Sequence, residues 1–289
     1  MKPFDYARPT DFSEAVNLWA EHGNSARLLA GGTDLIVALR HGKITTELLI
    51  DLKDVAEMQS DFRIDGEALY VSAGATMAEL QAFLEQNNLF PSLQDAASVV
   101  GSIQIRHRAT LVGNICNASP AADTVPVLAA LGTIVEIAGP NGTRTRSVED
   151  FIQGNRKIDL GPGEIVTSVR IRMPGTAQGC AFDRITRRRG VDLATTNMCC
   201  VVESSGNVTF AFGAVSTRPL VLRDSSGMFH DHSASKADRA SRIRQLADEA
   251  TPISDVRASA EYRSAMLCVM ADRGLQVAQR RQKTRGTNA

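Results

Sequence analysis

The chain has 289 residues, 43% of them hydrophobic, which is enough to bury a sizeable core and to divide into two or three subdomains; it is neither disordered nor fibrous. Thirty-two basic residues against 32 acidic ones leave a formal net charge of zero, so no global field attracts nucleic acid or an anionic membrane, and an anionic ligand must be held locally. The opening "MKPFDYARPTDFSEAV" has charges and prolines where a secretory signal is apolar, and no window supplies the roughly 20 apolar residues of a membrane span, so a cytoplasmic protein is expected.

Periodicity supplies the organisation. "TDFSEAVNLWAEHG" carries Phe12, Ala15, Val16 and Trp19 at helical spacing, with Asp11 and Glu14 as a capping box and Gly23 as the stop. "ARLLA" reads as a short buried strand, "TDLIVALRHG" as a second helix and "ELLIDL" as another strand, the alternation of an α/β unit over residues 1–55.

From about residue 56 the pattern becomes α+β. Asp65-Gly66 joins two strand-like runs as a hairpin, and Thr76 with Glu79 opens a helix through a second capping box. In "SPAADTVPVLAALG", Ser119 is expected as N-cap, Pro120 at the first helical position and Gly132 past the end. "TIVEIAGPNGTRTR" forms another hairpin and "EIVTSVRIRM" a long strand, closing this subdomain near Pro174.

Residues 175–289 are expected to be a separate α+β domain. It has three strands, "GCAFDRITRR", "TTNMCCVVE" and "NVTFAFGAV", and helices over about 235–250 and 257–282. Tyr262, Met266, Met270 and Val277 form one core-filling face of the second helix. Cys116, Cys180, Cys199, Cys200 and Cys268 show no CxxC pair or four-ligand spacing and read as buried free thiols. The Asn-x-Ser/Thr triplets at Asn117, Asn141 and Asn207 carry no glycan in a cytoplasmic chain.

Two turns stand out chemically. In "LLAGGTDLIVAL", a strand ending in Gly31-Gly32 and entering a helix at Thr33-Asp34 leaves successive amides unshielded by any Cβ at a positive helix end, where a phosphate or pyrophosphate fits. The alternative is a tight turn that only needs positive φ, since neither G-x-G-x-x-G nor a Walker loop is present. About 80 residues on, "ATLVGNICNASPAAD" sets Thr110, Gly113 and Asn114 in a strand-to-turn context, followed by the helix start at Ser119. A ligand lying between two such turns would be long, like a dinucleotide.

The stretches "LLAGGTDL", "IRHRATLVGNICNASPAADTVPVLAALG", "RITRRRGVDLA" and "DVRASAEYR", in this order over essentially the whole chain, resemble the FAD-binding medium subunit of the molybdenum hydroxylases, the xanthine dehydrogenase and carbon monoxide dehydrogenase group. The resemblance implies an α+β FAD-binding fold of the vanillyl-alcohol-oxidase (PCMH) type: two subdomains, residues 1–55 and 56–174, clasp FAD, and a C-terminal α+β domain, residues 175–289, packs on them. It implies that Leu28, Leu29, Ala30, Gly31, Gly32, Thr33, Asp34 and Leu35 wrap the pyrophosphate and that Thr110, Gly113 and Asn114 approach it from the second subdomain, with Ser119 opening the next helix. Asp123 matches a carboxylate that contacts the flavin's sugar-like chain, and Ser102, Ile165 and Val166 match positions near the cofactor.

Two departures qualify the match. The family writes the second turn with paired glycines, whereas Val112 stands here before Gly113, which would loosen or shift the phosphate approach. Where many relatives carry a lysine near the isoalloxazine ring, this chain has Arg184, whose fixed charge would favour the anionic reduced flavin; the residue-level alternative is a structural or solvated basic strand. That alternative is preferred for Arg187, Arg188 and Arg189, with Asp192 pairing one of them. His22, His41, His107, His230 and His232 lie outside turns that would present them to the ring, so FAD is expected to be non-covalent, and His230 and His232 are expected in an exposed loop without a third metal ligand.

The implied function is electron relay within a heterotrimer. A large molybdopterin-binding subunit would hydroxylate the substrate, a small subunit with two 2Fe-2S clusters would carry electrons, and this chain's FAD would pass them to NAD or another acceptor. No catalytic residue or metal ligand is expected in this chain itself. The motif wording leans toward the xanthine dehydrogenases, and residues 117–174 lack the cysteines of the branch that reduces aromatic coenzyme-A esters. The competing readings are a stand-alone flavin oxidoreductase of the same fold and a flavin-free assembly subunit.

Overall fold

The structure, a computed structural model, describes residues 2–175, 178–231 and 234–286. Its first layer is a parallel three-stranded sheet, β1 (Asp5–Ala7), β2 (Ala26–Leu29) and β3 (Leu48–Asp51), in the order β1-β3-β2. Two helices cross over between the strands, α1 (Phe12–His22) and α2 (Leu35–Arg40). The expected α/β alternation is present, with β1 as an additional strand that its short, exposed sequence did not announce. α1 starts and stops where expected, at Asp11 and at Gly23 with φ +48°. The capping box is only half formed: the Asp11 carboxylate accepts from Glu14 N, but Glu14 Oε2 accepts from Thr10 N.

The second layer is an antiparallel five-stranded sheet in the order β4-β5-β10-β6-β7, from β4 (Phe62–Ile64), β5 (Ala68–Ser72), β6 (Ile134–Gly139), β7 (Gly142–Ser147) and β10 (Ile165–Arg172). Both predicted hairpins are there, and Gly66 adopts φ +90° and Gly142 φ +100° as their turns demand. Between β5 and β6 the chain runs through α3 (Met77–Gln86), α4 (Pro91–Ser98), α5 (Ile103–Arg106), α6 (Leu111–Cys116) and α7 (Thr124–Ala130). The Thr76 and Glu79 capping box of α3 is complete. After β7 come α8 (Val148–Phe151) and a two-stranded ribbon, β8 (Ile152–Gly154) with β9 (Lys157–Ile158).

The C-terminal part is an antiparallel meander, β11 (Gly179–Ile185), β12 (Thr196–Val202), β13 (Val208–Gly213) and β14 (Leu220–Asp224), backed by α9 (Lys236–Ala247) and α10 (Ala260–Gly286). β12 is buried along its whole length because it is covered on both faces. Met198, Cys200 and Phe210 face α10, whereas Cys199, Val201 and Ala211 join one continuous core with the first two sheets. α4 packs on β11, and α7 on β12 and β13.

The predicted face of α10 is rotated. Met270 is fully buried, but Tyr262 is 44% exposed, and the packed stripe is Arg263, Leu267, Met270, Ala271, Gly274, Leu275 and Ala278. The reason is close approach: a Cβ at Gly179 on β11 would lie 2.0 Å from Ala278 O, and one at Gly274 would lie 2.8 Å from Met198 Sδ. Small residues therefore define the face, and a count of large apolar ones misplaces it. All five cysteines are free; Cys180, Cys199 and Cys200 are buried, while Cys116 and Cys268 are half-buried.

Candidate functional site

β2 runs parallel to β3 with Leu28 beside Ile50 and Leu29 beside Asp51, and beyond Leu29 the chain leaves the sheet at the carboxyl ends of its strands. It turns through Ala30, Gly31 and Gly32 and enters α2 after Asp34, one residue later than expected. Gly31 packs directly on the backbone between α5 and α6: a Cβ there would lie 1.9 Å from the Arg108 carbonyl oxygen. Gly32 holds φ +74°, a left-handed conformation that glycine adopts without penalty. The amides of Gly31, Gly32, Thr33 and Asp34 have no hydrogen-bond partner among the described residues, while Ile36 N and Ala38 N bond back to Gly32 O and Asp34 O. Four successive unpaired N–H groups, two of them bare of Cβ, form a cradle suited to pyrophosphate oxygens.

A cleft of about 210 Å³ opens beside this turn, with Ala30, Gly31 and Lys53 on one side and His107, Arg108 and Thr110 on the other. His107 stands in its wall. Lys53 Nζ is 2.5 Å from both carboxylate oxygens of Asp51, which also accepts from the Tyr6 hydroxyl. Burial alone would raise the Asp51 carboxyl, but the bonds from Lys53 and Tyr6 outweigh it and hold the group below the usual carboxylate range. Of the sequence-predicted residues, this cleft gathers Ala30, Gly31 and Thr110.

The second turn differs from its expectation. Thr110 bridges to Thr76 and then N-caps α6, so Gly113 and Asn114 are helical rather than in a strand-to-turn bend. Gly113 N donates to Thr110 Oγ1 at 2.9 Å and Asn114 N donates to Thr110 O, which leaves these amides committed to the helix. Val112, the departure from the paired glycines, is 5% exposed and packs in the core. Ser119 does not cap a helix either: residues 119–122 form a turn closed by Ala122 N to Ser119 O, and α7 begins at Thr124 with Asp123 before it. Pro120, read as the first helical position, suggested an earlier start, but Pro120 O is taken by Ala214 N of the C-terminal part, which diverts the backbone.

Asp123 is 7% exposed and lies where the second sheet's helices meet β11 and β12. Its Oδ2 accepts from Arg184 Nη1 at 3.0 Å and its Oδ1 from Asn197 Nδ2 at 2.9 Å. Burial pushes its carboxyl up, and the Asn197 and Arg184 bonds only partly offset that. Arg184 is therefore an ion-paired group rather than a bare positive charge. Arg187, Arg188 and Arg189 are exposed; Arg187 pairs with Asp192 at 3.2 Å, as expected for a structural role.

Ser102 N-caps α5, accepting from Ile105 N at 3.3 Å. Ile165 and Val166 are buried in the second sheet beside Ala138 and Ile137. Leu28 and Leu35 are half-buried on the first layer. Nε2 of His230 is enclosed without a partner among the described residues, contrary to the exposed loop expected, and His232 lies outside the described residues. Sequence reasoning missed Lys53 and Asn197; the signal for the latter was an amide inside the otherwise apolar run "NMCCVV".

The fold and the bare-amide turn define a nucleotide-binding flavoprotein architecture, and comparison with known proteins specifies it. Residues 2–174 match the family described as the FAD binding domain in molybdopterin dehydrogenase, and residues 181–278 match the CO dehydrogenase flavoprotein C-terminal domain. The chain is 32% identical over 286 residues to the carbon monoxide dehydrogenase medium chain of Afipia carboxidovorans, covering 97% of this chain and 98% of that one. It is 34% identical over 193 residues to the caffeine dehydrogenase subunit beta of Pseudomonas sp. strain CBB1, covering 66% and 65%. A chain of the Cu,Mo-CO dehydrogenase crystal structure superposes with a TM-score of 0.88 at 31% identity, covering 97% of this chain and all of that one. The protein belongs to the FAD-binding subunits of the molybdenum hydroxylase family: an oxidoreductase subunit that binds FAD and transfers electrons.

Proposed function

We propose that this chain relays electrons from the iron–sulfur clusters of a small subunit, through FAD, to NAD or another soluble acceptor, while a large molybdopterin subunit oxidises the substrate. Bound FAD supplies the exchange between one-electron and two-electron chemistry. The observation that carries the reading is the row of unpaired amides at Gly31, Gly32, Thr33 and Asp34, which matches the need of a pyrophosphate and serves no bond within the chain.

In this reading Leu28 to Leu35 hold the pyrophosphate, Thr110, Gly113 and Asn114 bring the second subdomain against it, and Asp123 accepts from hydroxyls of the flavin's sugar-like chain. Arg184 sits beside the ring, its charge tempered by Asp123. Ser102, Ser119, Ile165 and Val166 border the cofactor through backbone or side-chain contact. Residues 1–55 and 56–174 act as the two clasping subdomains and 175–289 as the domain that closes on them. The complex works in the cytoplasm; no helix among the described residues is long and apolar enough to cross a membrane. The substrate is oxidised on the partner, so the carbon monoxide and caffeine in the relatives' names bear on the complex rather than on this chain's residues.

The test is stopped-flow absorbance of the purified chain. Dithionite should bleach its flavin band, whereas candidate substrates should bleach it only after the molybdenum and iron–sulfur partners are added. Rapid reduction by a substrate without partners would mean an active site within this chain and would overturn the relay.

A further inference from the structure

Arg184, Asn197 and Gly213 stand directly opposite one another on β11, β12 and β13, a row across three strands facing the turn that carries Asp123. Asn197 is fully buried in a strand that is otherwise apolar or hydroxyl-bearing. Its amide nitrogen donates to Ala122 O at 3.2 Å and to Asp123 Oδ1 at 2.9 Å. The amide cannot be turned over, because its oxygen would then face a carbonyl and a carboxylate. Its oxygen instead points at Gly213, where a Cβ would lie 2.2 Å away, so only glycine fits behind it. That oxygen has no partner among the described residues. A buried amide that leaves one end unsatisfied is retained at a cost, which points to its donor end as the useful one. The same turn is fastened a second time by Ala214 N to Pro120 O at 2.7 Å.

We propose that Asn197 is the positioning residue of the flavin site: its amide, seated against Gly213, sets the direction of the Asp123 carboxylate and so sets the affinity for FAD from a domain that does not itself hold the pyrophosphate. The inference rests on the reading that Asp123 contacts FAD. With Oδ1 held by Asn197 and Oδ2 by Arg184, each carboxylate oxygen keeps one lone pair for a ligand hydroxyl in a fixed direction. Arg184 is the charged group facing Asp123 from β11; Asn197 on β12, Gly213 on β13 and residues 120–122 of its own turn bring no charge.

The experiment is titration of the full-length apo-protein with FAD, beside thermal melting, for Asn197→Ala, Asn197→Asp, Gly213→Ala, Asp123→Ala and the Asn197→Ala/Asp123→Ala pair. Asn197→Ala should raise the FAD dissociation constant about tenfold, the scale of a bond to a charged group. The increase should vanish in the Asp123→Ala background, since coupled residues do not add. Gly213→Ala should reproduce the loss by pushing the Asn197 amide aside. Asn197→Asp keeps the shape and serves if the alanine variant fails to fold: protonated, it still donates, and ionised, it repels Asp123, so FAD binding should weaken as pH rises in a way the parent protein does not show. An increase that persists in full in the Asp123→Ala background, or FAD affinity within twofold of the parent for both Asn197 variants, overturns the inference. Asp123→Ala binding FAD as tightly as the parent would remove the underlying reading as well, whereas weakened Asp123→Ala with unaffected Asn197 variants would remove only this one.

Discussion

The two turns that looked alike in sequence do opposite things with their backbone. After β2, residues 31–34 leave four amides unpaired beside a cleft; after Thr76 and Thr110 meet, the amides of Gly113 and Asn114 are consumed by the Thr110 hydroxyl and carbonyl. A glycine near a helix start is thus an anion site only when no side chain caps that start. The first turn lacks a cap because Asp34, its N-cap residue, makes no side-chain bond to the helix.

The largest effect that separates the two turns is expected from Gly31→Val. Its Cβ would drive into Arg108 O, parting this turn from the backbone between α5 and α6, at an overpacking cost of about 1–3 kcal/mol. Desalted protein should retain no flavin while far-UV circular dichroism stays near the parent's; full flavin occupancy would take this turn out of the site. Val112→Gly restores the paired glycines of the second turn, yet the side chain it removes is buried in the core. Chemical denaturation should show a loss of about 2–4 kcal/mol, from lost burial and added backbone freedom, with no gain in FAD affinity. Tighter FAD binding would show that Val112 obstructs a phosphate after all.

Thr110→Ala sharpens the contrast at smaller scale. It removes the cap of α6 and should cost about 1 kcal/mol of stability. Because it also frees the Gly113 amide, it makes the second turn resemble the first, so FAD affinity should hold or rise; isothermal titration reads this directly. The smallest effect is in pH. Asp51, beside the first turn, has its carboxyl held down in the folded state, so its contribution is present above the unfolded value of about 3.9 and is lost as pH falls through the folded one. Asp123, beside the second, is pushed up, so its contribution is complete below the unfolded value and is lost as pH rises through the folded one. Urea melts from pH 3 upward should therefore flatten at the acid end in Asp51→Asn and at the higher end in Asp123→Asn; the same slope change in both would refute the opposed signs.

Much of this was legible in order along the chain. The Thr76 capping box, the hairpins at Asp65-Gly66 and after Pro140, and the glycine stops at Gly23 and Gly132 are decided within a few residues, where propensity and turn chemistry act without the rest of the fold. The glycine pair was legible for the same reason: bare backbone at a strand end is a local property. Ser119 was misplaced as a cap because the bond that diverts its turn comes from Ala214, far along the chain.

What the sequence determined alone was therefore what a few neighbouring residues decide: the Thr76 capping box, the two hairpins, the glycine stops and the bare backbone at Gly31 and Gly32. Tertiary structure decided which residues share a site. Asp123 meets partners 61 and 74 positions away, and only the register of β11, β12 and β13 places Arg184, Asn197 and Gly213 in one row against it. Register is a property of paired strands and a slip of one residue would turn the Arg184 and Asn197 side chains to the opposite face and put a side chain where Gly213 leaves room, so no reading of a single strand contains it. The buried face of α10 follows the same rule: Gly274 and Ala278 lie inward because β11 and β12 come close enough to require small residues, a distance that periodicity along one helix does not encode.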